Sequence, residues 1–151
     1  MSSLLNLRVQ LSQNFLRDSH LVATLLDRFD LGSDSHVYEI GAGEGIITEQ
    51  LAQRYKRVIG IEKDERLADR LRRRFSNYPH VTILSGDFLR MPLPHGPYKV
   101  FANIPFNITS AIVARLIGEG RPPEEAYLTM QKEAAEMYLG KPHETLRTVL
   151  M

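Results

Sequence analysis

Residues 36–45 read HVYEIGAGEG, a short apolar strand running straight into three alternating glycines. Gly41, Gly43 and Gly45 remove side chains where a backbone must turn sharply and approach a ligand closely. The helix-like run IITEQLAQRY (46–55) follows at once, so the glycines occupy a strand-to-helix turn. A dinucleotide site asks for a third small residue at position 46, in G-x-G-x-x-G spacing, and Ile46 stands there instead. The loop can therefore cradle a nucleoside-like ligand but lacks the spacing expected where a pyrophosphate meets a helix end. A tight turn with no ligand would leave the same trace.

Outward from this stretch the chain alternates. Strands are expected at 36–40, 57–61, 81–84, 98–102 and 126–130, with a last one at 145–151. Helices are expected at 19–29, 46–55, 64–75, 108–120 and 131–139. The first helix is capped at Asp18 or Ser19, and the fourth ends at Gly118 or Gly120 ahead of Pro122-Pro123. A polar, proline-rich loop covers 86–97, and no internal repeat or interdomain linker interrupts the pattern. Such alternation specifies an α/β fold, a mostly parallel sheet with helices on both faces. Ligands then sit at the carboxyl ends of the strands, near the point where strand order reverses. The residues to watch are 39–45, 62–64, 86–87 and 103–106. The sequence stops at Met151 inside a strand-like run, which reads as a truncated chain or an isolated domain over 1–151.

Composition sets bounds. At 151 residues the chain is one domain's worth of sequence, and 43% apolar with 25% charged residues is ordinary for a soluble globular protein. The absence of cysteine excludes disulfides and thiolate metal sites and fits a reducing compartment. The N-terminus lacks the pattern of a signal peptide, and no apolar run is long enough to cross a membrane. A cytoplasmic monomer without metal or membrane contact is expected. The net charge of +1 does not announce a nucleic-acid binder. In ERLADRLRRRF (65–75), Leu67, Leu71 and Phe75 should face the core, with Arg66, Arg70, Arg73 and Arg74 on a neighbouring face. That face reads as solvated, with Asp69 pairing to Arg73, rather than as a dedicated RNA contact.

Two carboxylates give the glycine loop a context. Glu62 lies at the end of the second strand, 21 residues beyond Gly41, where an acidic residue can accept both hydroxyls of a ribose. It could equally cap the helix that begins near Asp64. Asp87, in SGDFL after the third strand, could accept the exocyclic amine of an adenine, although alone an Asx-turn is the simpler reading. Together these positions outline a site for an adenosine without phosphates. S-adenosylmethionine fits that outline, with its ribose on Glu62, its adenine near Asp87 and its methionine part over the glycines.

The last strand end, FANIPFNIT (101–109), places Asn103, Ile104, Pro105 and Phe106 where the sheet runs out. Here the sequence resembles the rRNA adenine N6-dimethyltransferases, the family of the Erm enzymes of large-subunit rRNA and of the housekeeping enzymes of small-subunit rRNA. The matching residues are SQNFL (12–16), EIGAGEG (39–45), IEKD (61–64), GDFL (86–89), NIPFNIT (103–109) and MQKEAAE (130–136), in the family's order. The resemblance implies a Rossmann-like S-adenosylmethionine-dependent methyltransferase. It implies that Asn14, Leu16, Gly41, Gly43, Glu62, Asp87 and Asn103 line the donor site, and that 103–106 receive a target adenine of rRNA. The assignments of Asn14 and Leu16 come from the family alone. Nothing in the chain corresponds to the family's small C-terminal helical domain, so weak RNA binding is expected.

The motif suits the chemistry. An adenine amine is a poor nucleophile because its lone pair is delocalised into the ring. Acceptors for its N–H groups, the Asn103 side-chain oxygen and the Ile104 carbonyl, would encourage the pyramidal geometry needed for attack. Pro105 restricts Ile104 toward extended conformations, and Phe106 can stack on an extruded base. The phenylalanine of NIPF and the QKEAAE run lean toward the Erm branch and 23S rRNA, with antibiotic resistance implied. Asn107-Ile108-Thr109 is closer to the 16S enzymes. A non-catalytic nucleic-acid-binding factor of the same fold is the alternative of another class, which intact Glu62, Asp87 and NIPF oppose. Ile46 disfavours a nicotinamide oxidoreductase, and Ile104 disfavours a DNA adenine methyltransferase, which usually has a second proline there.

Overall fold

The computed structural model describes residues 18–27, 32–104 and 106–129. Among them are five strands, β1 (His36–Ile40), β2 (Arg57–Glu62), β3 (Val81–Ser85), β4 (Lys99–Asn103) and β5 (Glu125–Thr129). Four helices accompany them, α1 (Ser19–Leu26), α2 (Ile46–Ala52), α3 (Glu65–Arg74) and α4 (Thr109–Gly118). Every strand pair is parallel, in the order β3-β2-β1-β4-β5. The order reverses between β1 and β4, and all five carboxyl ends share one rim. The strand and helix expected at 145–151 and 131–139 lie outside the described residues, as do Asn14, Leu16 and Pro105.

Alternation of side chains along the strands builds two apolar layers. Val100 and Ala102 of β4 point to the α4 side and pack with Ile112, Val113 and Leu116. Phe101, between them, points to the opposite side among Val22 and Leu26 of α1 and Leu51 of α2. Helices thus cover both faces. The sheet is buried on both sides, which is why its strands read as apolar runs.

Several boundaries shift from the expected ones. β2 runs on through Glu62 and β4 through Asn103, because both residues still find ladder partners, Ser85 and Thr129. β5 begins at Glu125, one residue before the expected start, and Met130 lies outside the described residues. The helix expected at 46–55 ends at Ala52, and buried Tyr55 closes the turn through its N–H to Leu51 O. Asp18 caps α1, its carboxylate accepting the N–H of His20 at 2.9 Å. α4 ends at Gly118, and Gly120 follows at positive φ.

On α3 the buried stripe is Ala68, Leu71 and, just beyond the helix, Phe75, while Leu67 is only half-buried. A four-residue step overshoots one turn by about 40°, so Leu67 drifts to the edge of the stripe. Asp69 pairs with Arg72 at 2.7 Å, not with Arg73, and the same Arg72 guanidinium reaches Glu65 at 3.3 Å on that side of the helix. Arg66, Arg70 and Arg73 are exposed.

Candidate functional site

A cavity of about 590 Å³ opens where the strand order reverses, at the carboxyl ends of the strands. Gly41, Gly43, Glu62, Asp87, Asn103 and Ile104 all line it. A volume in this range suits a nucleoside-sized organic ligand.

The glycine loop begins with the N–H groups of Gly41 and Ala42, both donating to Ile61 O, which folds the chain back over β2. Gly41 has φ of 79°, and a Cβ built there would meet nothing within 4 Å, so it would project into open space. Gly45 is constrained differently. It has φ of 84°, and a Cβ would fall 2.6 Å from Leu71 Cδ2 and 3.0 Å from Phe75 Cε2. One glycine therefore leaves room above the loop, and the other lets the loop settle on α3.

Glu62 is 9% exposed, and both its oxygens are engaged by backbone. Oε2 accepts the Gly43 N–H at 2.7 Å and Oε1 accepts the Asp64 N–H at 2.9 Å. The carboxylate ties the glycine loop to the start of α3, but Asp64 rather than Glu62 supplies the helix cap. A carboxylate has about four acceptor positions, so two remain for ligand hydroxyls. Asp87 does form the Asx-type turn, with Oδ1 accepting the Leu89 N–H at 3.0 Å. Its Oδ2 meets Lys63 Nζ at 3.2 Å. The Leu89 N–H and then the Lys63 ammonium hold the Asp87 carboxyl below its ordinary pKa, so it stays an acceptor. The turn and the cavity wall are the same residue.

At the other wall, Asn103 is the last residue of β4, and its side-chain oxygen accepts a hydrogen bond from the Thr129 hydroxyl. The Ile104 N–H donates to Thr129 O at 2.9 Å. Phe106 opens a short 3-10 turn (Phe106–Ile108) leading into α4.

Three residues to which the sequence reading gave no individual role also shape the site, Glu39 among them although it lies in the watched stretch 39–45. Glu39 is 1% exposed, with Oε2 accepting from the Thr48 hydroxyl and no partner for Oε1 among the described residues. Burial pushes its carboxyl up to about 8, against the hydrogen bond from Thr48 and helped by the charge of Glu62. Arg115 reaches from α4 to donate to the carbonyls of Leu89 and Met91, with its guanidinium 5.6 Å from the Phe88 ring centroid. It pins the loop that carries Asp87. Thr129 is the third. A carboxylate inside an apolar strand was the one visible signal for Glu39; the other two depend on tertiary neighbours.

The family description "Ribosomal RNA adenine dimethylase" matches residues 4–150 of this sequence. The chain belongs to that family. A Methanospirillum hungatei protein named "Probable ribosomal RNA small subunit methyltransferase A" is 42% identical over 140 residues, 90% of this chain and 53% of that protein. The "rRNA adenine N-6-methyltransferase" of Saccharopolyspora erythraea is 38% identical over 133 residues, 88% of this chain and 35% of that protein. The crystal structure of the 23S rRNA methyltransferase ErmE superposes with a TM-score of 0.64 at 36% identity, covering 70% of this chain and 43% of that one. The chain thus spans about half, or less, of the length of these relatives. The rRNA adenine dimethylase family uses S-adenosylmethionine, and the cavity's lining fits it: a carboxylate with two open acceptor positions, a second carboxylate one strand further out, and a bare glycine loop on the opposite side of the first. No group of three potential metal ligands occurs among the described residues, and none of their helices is long and apolar enough to cross a membrane.

Proposed function

We propose that this chain binds S-adenosylmethionine and transfers its methyl group to the N6 amine of one adenosine in 23S rRNA, as the catalytic domain (1–151) of a cytoplasmic, monomeric enzyme. The observation that carries this reading is the convergence, in one cavity, of donor-type residues from β1, β2 and β3 with Asn103 and Ile104 from β4. Bound S-adenosylmethionine supplies a methyl group activated by sulfonium charge. The open acceptor positions of Glu62 take the ribose hydroxyls, and Asp87 takes the adenine amine. Gly41 and Gly43 lie under the methionine part, and Asn14 and Leu16 complete the donor site.

On the acceptor side, Asn103 Oδ1 and the Ile104 carbonyl accept the two N–H hydrogens of the target amine. This draws the nitrogen toward pyramidal geometry and frees its lone pair for attack. Pro105 fixes the direction of the Ile104 carbonyl, and Phe106 stacks on the extruded base. The proton released on N-methylation passes to solvent. Neutral Asn103 avoids an anion that would stabilise the cationic donor before reaction. Positioning and electrostatics supply the rate.

A second reading, small-subunit rRNA as the target, is favoured by Asn107-Ile108-Thr109 and by relatives of that name. Incubation with labelled donor and either naked 23S rRNA or small-subunit particles, followed by mapping of the labelled base, separates the two. Label in 23S rRNA is expected. Label in small-subunit rRNA alone would replace the first reading by the second. Failure to bind the donor at all would favour a non-catalytic RNA-binding factor.

A further inference from the structure

We infer that Thr129 is a positioning residue for methyl transfer: its hydroxyl holds the Asn103 amide in the one orientation that turns a free lone pair of Oδ1 toward the target amine. The inference rests on the methyl-transfer reading above.

Asn103 stands opposite Thr129 as the last described pair of the β4–β5 ladder. Thr129 then holds the acceptor segment twice. Its carbonyl takes the Ile104 N–H at 2.9 Å, and its hydroxyl donates to Asn103 Oδ1. Thr129 is 3% exposed, so water has little access to that hydroxyl, whereas Asn103 is half-buried and lines the cavity.

An asparagine amide is nearly symmetric in shape, and a half-turn exchanges its oxygen for its NH₂ group. If the amide turned over, its NH₂ would donate to the Thr129 oxygen, and the hydroxyl proton would need another acceptor. Ala102 O is the alternative that the structure offers, at 3.4 Å. That is long for an O–H···O hydrogen bond, which falls at about 2.5–3.0 Å. The hydroxyl therefore selects the orientation with Oδ1 toward Thr129. An amide oxygen has two acceptor positions, so one remains for a substrate N–H. The overturned amide would set its own N–H groups against those of the amine. A backbone contact alone could not make this choice, because the Ile104 N–H bond survives either way.

The test compares Thr129→Val, which keeps the shape and removes the hydroxyl, with Thr129→Ser, which restores it. Single-turnover transfer should fall about tenfold in the valine variant, the scale of one lost hydrogen bond. Donor affinity and Tm should stay near those of the parent, and serine should recover most of the rate. The side-chain amide resonances of Asn103 in ¹⁵N-labelled protein report the orientation without turnover. They should move in the valine variant and return in the serine variant. Unchanged amide resonances in Thr129→Val, or a serine variant as slow as valine, would overturn the inference. Asn103→Ala is the control for the underlying reading. If Asn103→Ala keeps full transfer, the methyl-transfer assignment of this wall fails. If Asn103→Ala loses transfer while Thr129→Val keeps it, the role of Thr129 alone fails.

Discussion

The two walls of the cavity are built by different means. On the β2–β3 side, Glu62 and Asp87 are each fixed by backbone N–H groups, of Gly43 and Asp64 for one and of Leu89 for the other. On the β4 side, the partner of the Asn103 side chain among the described residues is the Thr129 hydroxyl of the next strand. Removing a carboxylate from the first wall therefore strands backbone donors and loosens the loop itself. Removing the amide from the second wall leaves the ladder intact. Under the proposed function, damage to the first wall shows as lost affinity and stability, and damage to the second as lost rate.

The largest effect should come from the second wall. Asn103→Ala should lower single-turnover transfer by about 10²–10³-fold, the range seen when one preorganised hydrogen-bonding group is removed from a transition state. Calorimetry should find donor affinity changed by less than about threefold. A matching loss in affinity would erase the distinction between the walls. The first wall is probed by Glu62→Gln, whose NH₂ group must face either the Gly43 or the Asp64 N–H. Donor affinity should fall about 30-fold, with a lower Tm, since a hydrogen bond to a charged group contributes about 1.5–3 kcal/mol. Loss of transfer rate with unchanged affinity would contradict the assignment.

Beneath the first wall, Glu39 sharpens the contrast through pH. Its folded-state value of about 8 lies above the value of about 4.3 for an unperturbed glutamate. Between these values the unfolded chain has released a proton that the folded chain keeps. The Glu39 contribution to stability is therefore full below about pH 4 and declines as pH rises toward 8, by at most about 1.4 kcal/mol per unit. Glu39→Gln should remove that decline, so the variant gains on the parent between pH 5 and 8 in denaturant titrations. Parallel curves would show that the carboxyl is already ionised in the fold. The smallest effect is expected from Asp87→Asn, which can still accept the Leu89 N–H but loses its charge and the pairing with Lys63. Donor affinity should fall about tenfold, the scale of one weakened hydrogen bond, with Tm little changed.

The same division governs what could be read from the residues alone. Gly41, Glu62, Asp87 and Asn103 are legible because strand–helix alternation predicts a parallel sheet and places all four at its strand ends, where ligands bind. The double engagement of Glu62 was harder to see, since it depends on the loop folding back over β2. Thr129 and Arg115 carry no local mark. One looks like an ordinary strand residue and the other like a helix-surface cation, and each acquires its role only when β5 meets β4 or α4 meets the 88–91 loop. The Asp69–Arg73 expectation failed for a related reason: spacing allowed two partners, and Glu65 on the same side of the helix favoured Arg72.

The continuous ladder from β1 to β4 has a mechanical consequence. Under the proposed function the glycine loop after β1 and Asn103 of β4 stand at the ends of neighbouring strands of one sheet, so the gap that the methyl group must cross is tied to the strand spacing. The protein could not shorten it without tearing backbone hydrogen bonds. Under the proposed function the moving part is the nucleotide. Catalytic speed would then track how readily the RNA swings its adenosine out of the stack, and changes to the RNA bases flanking the target adenosine should alter turnover more than changes in solvent viscosity do.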